Sequence, residues 1–283
     1  METFLVVTNQ QKDVDLSVTK SICSYLEEVK EKKAEMLVID NRNYELSPKD
    51  LEGVDCLLVL GGDGTILRVA KHLVDSDLPI VGINMGHLGY LAEVDKENVT
   101  EALDALCNGE YTTENRMMLS GKVYKEGREV CSSNALNDII ISRGGSPQIL
   151  NFEVKVNGKV LKKYRADGVI LATPTGSTAY NLSAGGPIVE PGADMTLLTP
   201  ISPHTMLSRS IVFNAEDEIE VTILSAHDAV DLPLCEVSFD GGNQMKLMCG
   251  DRVVVTKSSM CTNLIRLSSV SFLETLYEKM REE

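Results

Sequence analysis

The sequence predicts an α/β amino-terminal domain built on a parallel sheet, followed by a β-rich carboxyl-terminal domain. Three observations carry this. Up to Tyr111, short apolar runs alternate with stretches of helical period; beyond it the period falls from 3.6 to 2. The chain has 283 residues, 43% hydrophobic and 24% charged, enough for two modest cores. The change of period sets the expected boundaries: residues 1–115, residues 116–255, and a tail, 256–283, that packs back on the domains.

Phe4 to Thr8 reads as the first strand, and Val18, Ile22, Tyr25, Leu26 and Val29 then form one stripe of a helix. Met36 to Ile39 is a second strand. Cys56 to Leu60 is a third, wholly apolar and therefore central, and it runs into GGDGT at 61–65. The next helix buries Ile66, Leu67, Val69, Ala70 and Leu73. Pro79 to Ile83 is a further strand ending in NMGHLG at 84–89. Val99, Ala102, Leu103 and Leu106 mark one more helix, with Gly109 as its stop. In the second half, Phe152, Val154 and Val156 alternate with charged residues up to Asn157-Gly158, a tight hairpin turn. Ile219, Val221 and Ile223 alternate likewise, and Phe272, Leu273, Leu276, Tyr277 and Met280 return to helical spacing.

Composition narrows the function classes. Forty-two acidic against 27 basic residues give a net charge of −15, which opposes a polyanion, so nucleic acid is not an expected partner. No apolar stretch approaches the ~20 residues that span a bilayer, so no membrane is expected either. METFLVVTNQQKD lacks the basic and small-residue pattern of a signal peptide, which makes the cytoplasm the expected compartment. The seven cysteines are scattered with no CxxC pair, as for reduced thiols.

Two motifs carry chemistry. GGDGT stands where a strand hands over to a helix, at the ligand-binding end of a parallel sheet. Its glycines let backbone N–H groups approach phosphate oxygens. Asp63 is out of place beside phosphate unless it pairs with a metal or accepts a proton; the alternative is a tight turn with Asp63 as a helix cap. The second motif is ADGVILATPTGSTAYNLSAGGPIVEP, residues 166–191, too polar for a core. It reads either as a long exposed loop or as a ligand site in which Ala179, Leu182 and Ala184 face an aromatic base.

GGDGT, then SNALNDIIISR (133–143), then YRADG and TPTGSTAYNLSAGGPIV, in this order, resemble the NAD kinase family across essentially the whole chain. GGDGT is shared with diacylglycerol kinases; the threonine-rich run is distinctive. The resemblance implies an NAD kinase-like fold, homo-oligomers (dimer or tetramer), and transfer of the γ-phosphoryl of ATP to the adenosine 2′-hydroxyl of NAD. It implies that Asp63 accepts the hydroxyl proton with Gly64 beside the substrate, and that Asn137 and Asp138 contact the ribose. Asp138 replaces the usual Glu, shorter by about one methylene, roughly 1.5 Å; otherwise the pair is a solvated bulge. Thr178, Ala179, Tyr180, Asn181 and Ser183 match adenine and nicotinamide contacts, Asp167 an acidic contact, and Arg68 and Arg165 dinucleotide contacts, unless the arginines are ordinary surface residues. Gln148 and Gly242 depart from the pattern, Asp240 is a polar contact or a turn residue, and His87 and His204 carry no assigned role.

Magnesium or manganese is expected to arrive with ATP, since no histidine cluster offers a resident metal site. Two other readings compete: a lipid kinase of the diacylglycerol type, which the threonine-rich run opposes, and a non-catalytic dinucleotide sensor, which Asp63 opposes.

Overall fold

The computed structural model describes residues 1–40, 46–73, 77–86, 89–144, 149–205, 208–225, 235–242, 244–268 and 270–282. The chain divides into two units, Met1–Arg116 with Thr262–Glu283, and Met117–Cys261.

In the first unit β1 (Thr3–Asn9), β2 (Lys33–Ile39), β3 (Cys56–Gly61) and β4 (Ile80–Asn84) form a parallel sheet in the order β2-β1-β3-β4, with β5 (Val94–Asp95) beside β4. All six residues of β3 are buried, as a central strand covered on both faces requires. One face meets α1 (Ser17–Ser24) and, later in the chain, Val99–Asn108: Ile22, Leu26, Leu103 and Leu106 pack with Phe4, Val6, Leu58 and Ile83. Between them in sequence, α2 (Asp63–His72) takes the other face, where Ile66 closes on Gly82, the residue that alternates with Val81 and Ile83. The helix Val99–Asn108, α3, stops at Gly109, whose φ of 76° is the left-handed conformation of a helix C-cap. Val29 departs from the expected stripe and is 60% exposed. The α1 helix widens into a π turn over Tyr25–Val29, with Lys30 N–H bonded to Tyr25 O, so each residue turns through less than 100° and Val29 rotates off the buried line.

The second unit is built of antiparallel strands. After the hairpin of β6 (Thr112–Lys125) and β7 (Arg128–Ala135) come β8 (Asp138–Ser142), β9 (Leu150–Val156), β10 (Lys159–Ala166) and β11 (Gly168–Ala172). They are followed by β12 (Met195–Ile201), β13 (Ile211–Asn214), β14 (Ile219–Leu224), β15 (Cys235–Phe239), β16 (Met245–Leu247) and β17 (Arg252–Arg266). One sheet has the order β13-β12-β11-β8-β15-β16, and β10, β9, β14 and β17 run side by side in the other. Ile139, Ile141, Val169, Leu171 and Val237 from the first meet Phe152, Val154, Val221, Val253 and Val255 from the second in one core. Asn157 and Gly158, at φ 49° and 75°, make the two-residue hairpin between β9 and β10.

No separate tail begins at residue 256. β17 continues through it to Arg266, and the short α4 (Tyr180–Ser183) is followed by only one more helix, α5 (Phe272–Glu282), among the described residues. Of the apolar residues expected on its stripe, Phe272 and Leu276 of α5 are half-buried, while Leu273, Tyr277 and Met280 are 70%, 61% and 67% exposed. Phe272 and Leu276 stand one turn apart, and the other three project to the side of that narrow stripe.

Phe152 is fully buried and stacks on Tyr164, ring centroids 5.3 Å apart. Phe152→Ala is expected to cost about 3–5 kcal/mol, through lost transfer energy and a residual cavity. Urea unfolding will read this as a lower midpoint with an unchanged slope.

Candidate active site

In the first unit, β3 delivers Gly61 and Gly62 to the start of α2, where Gly62 is the N-cap and Asp63 the first helical residue. The Asp63 carboxylate does not cap its own helix. It accepts three consecutive backbone N–H groups from a distant turn: Tyr90 at 2.8 Å, Leu91 at 3.1 Å and Ala92 at 3.4 Å. Gly89 is required there, because a Cβ on it would overlap the carboxylate. Gly62 and Gly64 face open space and leave their backbone bare. With Asn9, Lys12, Thr65 and Arg68 they line an open cavity of about 360 Å³.

The turn that brings Lys12 to this cavity is fixed from inside. Asn9 donates to Thr65 Oγ1 at 3.3 Å and accepts from Gln11 N–H at 3.1 Å. Buried Asp13 accepts from the N–H and the hydroxyl of Thr19 at 2.8 and 2.6 Å. Arg68 is half-buried, and its guanidinium also donates to Asp40 O at 3.5 Å. Two cationic side chains and exposed amides at the start of a helix suit an anionic, phosphate-bearing ligand.

In the second unit the threonine-rich run divides into side chains that build the loop and side chains that the loop presents. Thr173, Ser177 and Asn181 are fully buried and Thr175 nearly so, which corrects the expectation of a segment too polar for a core. Burial is possible because their polar atoms are partnered. Thr173 Oγ1 donates to Leu136 O at 2.5 Å and accepts from Gly176 N–H at 3.0 Å; Gly176 itself lies against the Asn137 backbone, where a Cβ would not fit. Asn181 donates to Ser177 O and Pro187 O at 3.0 and 3.1 Å and accepts from Thr199 Oγ1 at 2.7 Å. Beneath the run, Ile170, Ala172 and Leu197 give β11 its second buried face.

A second carboxylate repeats the arrangement seen at Asp63. Asp240, at φ 48°, accepts the N–H groups of Leu136, Asn137 and Asp138 at 2.7, 2.8 and 3.0 Å. Asn137 is thereby fixed by its backbone, and its half-buried side-chain amide makes no hydrogen bond to any described residue. Tyr180 is 44% exposed, Ser183 is exposed, and Thr178 and Ala179 are half-buried. Asp167 pairs with Arg143 at 3.3 Å, and Arg165 is exposed at the end of β10.

Residues 4–111 match the model of the ATP-NAD kinase N-terminal domain and residues 136–267 that of the ATP-NAD kinase C-terminal domain. NAD kinases of Agathobacter rectalis and Thermoanaerobacter pseudethanolicus are similar to the chain. The first is 45% identical over 286 residues, covering 99% of each chain, and the second 42% identical over 282 residues, covering 98% of each. The chain belongs to the NAD kinase family. Its activity is that of an ATP-dependent NAD kinase, and the diacylglycerol-type alternative, which rested on GGDGT and the two-domain plan, has no support. Among solved structures, yeast NADH kinase complexed with NADH is similar at a TM-score of 0.84 and 25% identity, covering 99% of this chain and 88% of that one. The NAD kinase from Archaeoglobus fulgidus in complex with ATP is similar at 0.77 and 26%, covering 99% of each.

Several residue assignments drawn from the NAD kinase family resemblance change in the structure. Asn181 has no exposed surface and a fully used amide, so it holds the loop rather than presenting an atom to a dinucleotide. Asp138 is no solvated bulge: it is the first residue of β8, paired with Ala172 and 4% exposed. Asp240 is a backbone anchor. Gly242 is exposed with its N–H bonded to Phe239 O, His204 is exposed, and His87 and Gln148 lie outside the described residues. The sequence reading missed Lys12, Gly89 and Arg143, all partners that lie far along the chain from the residues they serve. Glycine in the NMGHLG stretch was the one available signal.

Burial, and then the Asp240 carboxylate beside it, push the Asp138 carboxyl up to about 7. A folded-state value above the unfolded one means stability is fully present below about pH 4 and is lost as pH rises through about 7. Asp138→Asn, which removes the titration, is therefore expected to be more stable than the parent at pH 8, by on the order of 1–3 kcal/mol. Thermal melts from pH 8 to pH 4 will read the gap closing as the pH falls.

Proposed function

We propose that the chain transfers the γ-phosphoryl of ATP to the adenosine 2′-hydroxyl of NAD, with Asp63 as acceptor of the hydroxyl proton. The observation that carries this is the fixed Asp63 carboxylate, whose neighbours Gly62 and Gly64 line the cavity. Three amides occupy part of the roughly four acceptor positions of a carboxylate and orient the remainder, so a hydroxyl proton finds a lone pair that needs no reorganisation. Lys12, Arg68 and the bare amides of Gly62 and Gly64 receive the triphosphate. The second unit supplies the dinucleotide contacts: Asn137 to the ribose, Thr178, Ala179, Tyr180 and Ser183 to the aromatic rings, and Arg165 and Asp167 to the polar groups. The free Asn137 amide and the exposed Tyr180 ring support that division.

Magnesium or manganese enters as the ATP complex, because two side-chain cations are too few for the charge that develops on the phosphoryl oxygens in a protein of net charge −15. No helix among the described residues is long and apolar enough to cross a membrane. All seven cysteines are thiols rather than disulfides, in keeping with a reducing cytoplasm. Association into a dimer or tetramer belongs to the same reading, supported by exposed Leu182, Ile188 and Val212 in the second unit.

Asp63→Asn is expected to lower kcat by about 10²–10⁴ while NAD and ATP still bind, measured by NADP formation beside calorimetry. Near-normal turnover by the folded variant would remove Asp63 from the role. Lys12→Ala is expected to raise KM for ATP by roughly tenfold, the loss of one charge-assisted contact, with KM for NAD little changed. Excess chelator is expected to abolish NADP formation, and added magnesium or manganese to restore it.

A further inference from the structure

The turn that holds Asp63 is itself held from the far end of the chain. Glu93 follows directly after the three amide donors, is 6% exposed, and is joined to the sheet by its own N–H bond to Gly82 O at 2.9 Å. One of its carboxylate oxygens accepts from Leu267 N–H at 3.2 Å and from the N–H and hydroxyl of Ser268 at 2.9 and 2.7 Å. The other takes the Arg266 guanidinium, which reaches on to Glu114 at 2.8 Å, and Glu114 in turn binds buried Arg116 at 2.9 Å. At the other end of the turn the Tyr90 ring stands 6.2 Å from Phe272, with Lys279 Nζ 4.6 Å from its centroid. The segment 90–93 is thus gripped at both ends, by residues 266–268 and by Phe272 and Lys279.

We infer that residues 266–268 and 272–279 form a clasp that positions the catalytic carboxylate: Arg266, Leu267 and Ser268 pin Glu93, Phe272 and Lys279 pin Tyr90, and the amides between them keep Asp63 in register. This rests on the reading of Asp63 as proton acceptor. The physical reasoning is short. A carboxylate held by three amides is only as well placed as those amides, and a surface turn opens locally unless other contacts oppose it. Glu93 gives a largely buried, multiply bonded anchor, and Tyr90 an aromatic and cation–π anchor at the surface. None of the clasp residues has to touch substrate; each acts through the turn.

Phe272→Ala in the full chain tests this without disturbing the buried ion network. Two measurements are made: amide hydrogen exchange over residues 89–93, and steady-state kinetics for ATP and NAD. The clasp predicts exchange at Tyr90, Leu91 and Ala92 faster by about tenfold or more. It also predicts kcat lower by roughly three- to tenfold with both KM values within about twofold, and recovery of both in Phe272→Tyr, which keeps the ring. In an Asp63→Asn background, Phe272→Ala is expected to add no further loss, since the group it positions is gone. Unchanged exchange over 89–93 overturns the clasp whatever the kinetics. Faster exchange with unchanged kcat, or losses that multiply in the double variant, overturns the positioning role. If Asp63→Asn alone retains turnover, the proton-acceptor reading falls and the positioning role with it, while the exchange result still decides whether the clasp exists.

Discussion

A carboxylate gripping three consecutive backbone N–H groups is the interaction on which both units depend. Asp63 holds residues 90–92 and Asp240 holds residues 136–138. Each bond to an ionised acceptor contributes on the order of 1.5–3 kcal/mol. The geometric consequence matters more, since three amides in a row can converge on one carboxylate only if the intervening dihedrals are fixed. A loop that would otherwise sample many conformations is thereby reduced to one, and the side chains it carries acquire defined directions. Asn137 is the clearest beneficiary, with its backbone committed and its side chain left free.

The threonine-rich run applies the same constraint with neutral groups. Thr173, Ser177 and Asn181 sit at zero exposure, where an unpartnered hydroxyl or amide would cost more than it contributes, so each has a specific partner and each partner fixes a piece of loop. What emerges at the surface, Tyr180 and Ser183 among them, inherits that rigidity. Exposed side chains and internal frame alternate within a dozen residues, and a substitution in the frame is therefore expected to disturb the surface the loop presents.

Much of the architecture was legible because periodicity and turn chemistry are local properties. β3, the stop of α3 at Gly109 and the Asn157-Gly158 hairpin could be read from a few adjacent residues each. Val29 was misplaced because a π turn changes the angular step without leaving a mark in residue type. Asn181 was misread for a related reason: a polar side chain in a loop-like string is ambiguous until its partners, up to 18 residues away at Thr199, are known. The function was legible in GGDGT and the run that begins at Tyr164, yet the partners of Asp63 lie 27 to 29 residues along the chain and those of Glu93 as many as 175. Contacts of that separation have no signature in one sequence, which is why Lys12, Gly89 and the grip on Glu93 came only from the fold.

The first unit is discontinuous, formed by Met1–Arg116 and completed by Thr262–Glu283. During translation the whole of the second unit is synthesised before Arg266, Leu267 and Ser268 exist to meet Glu93. A nascent chain halted just before them carries GGDGT and the threonine-rich run, yet leaves Glu93 with neither its arginine nor its amide donors. Vectorial synthesis thus places the anchoring of the Asp63 turn after the synthesis of the second unit, an order written into the sequence itself.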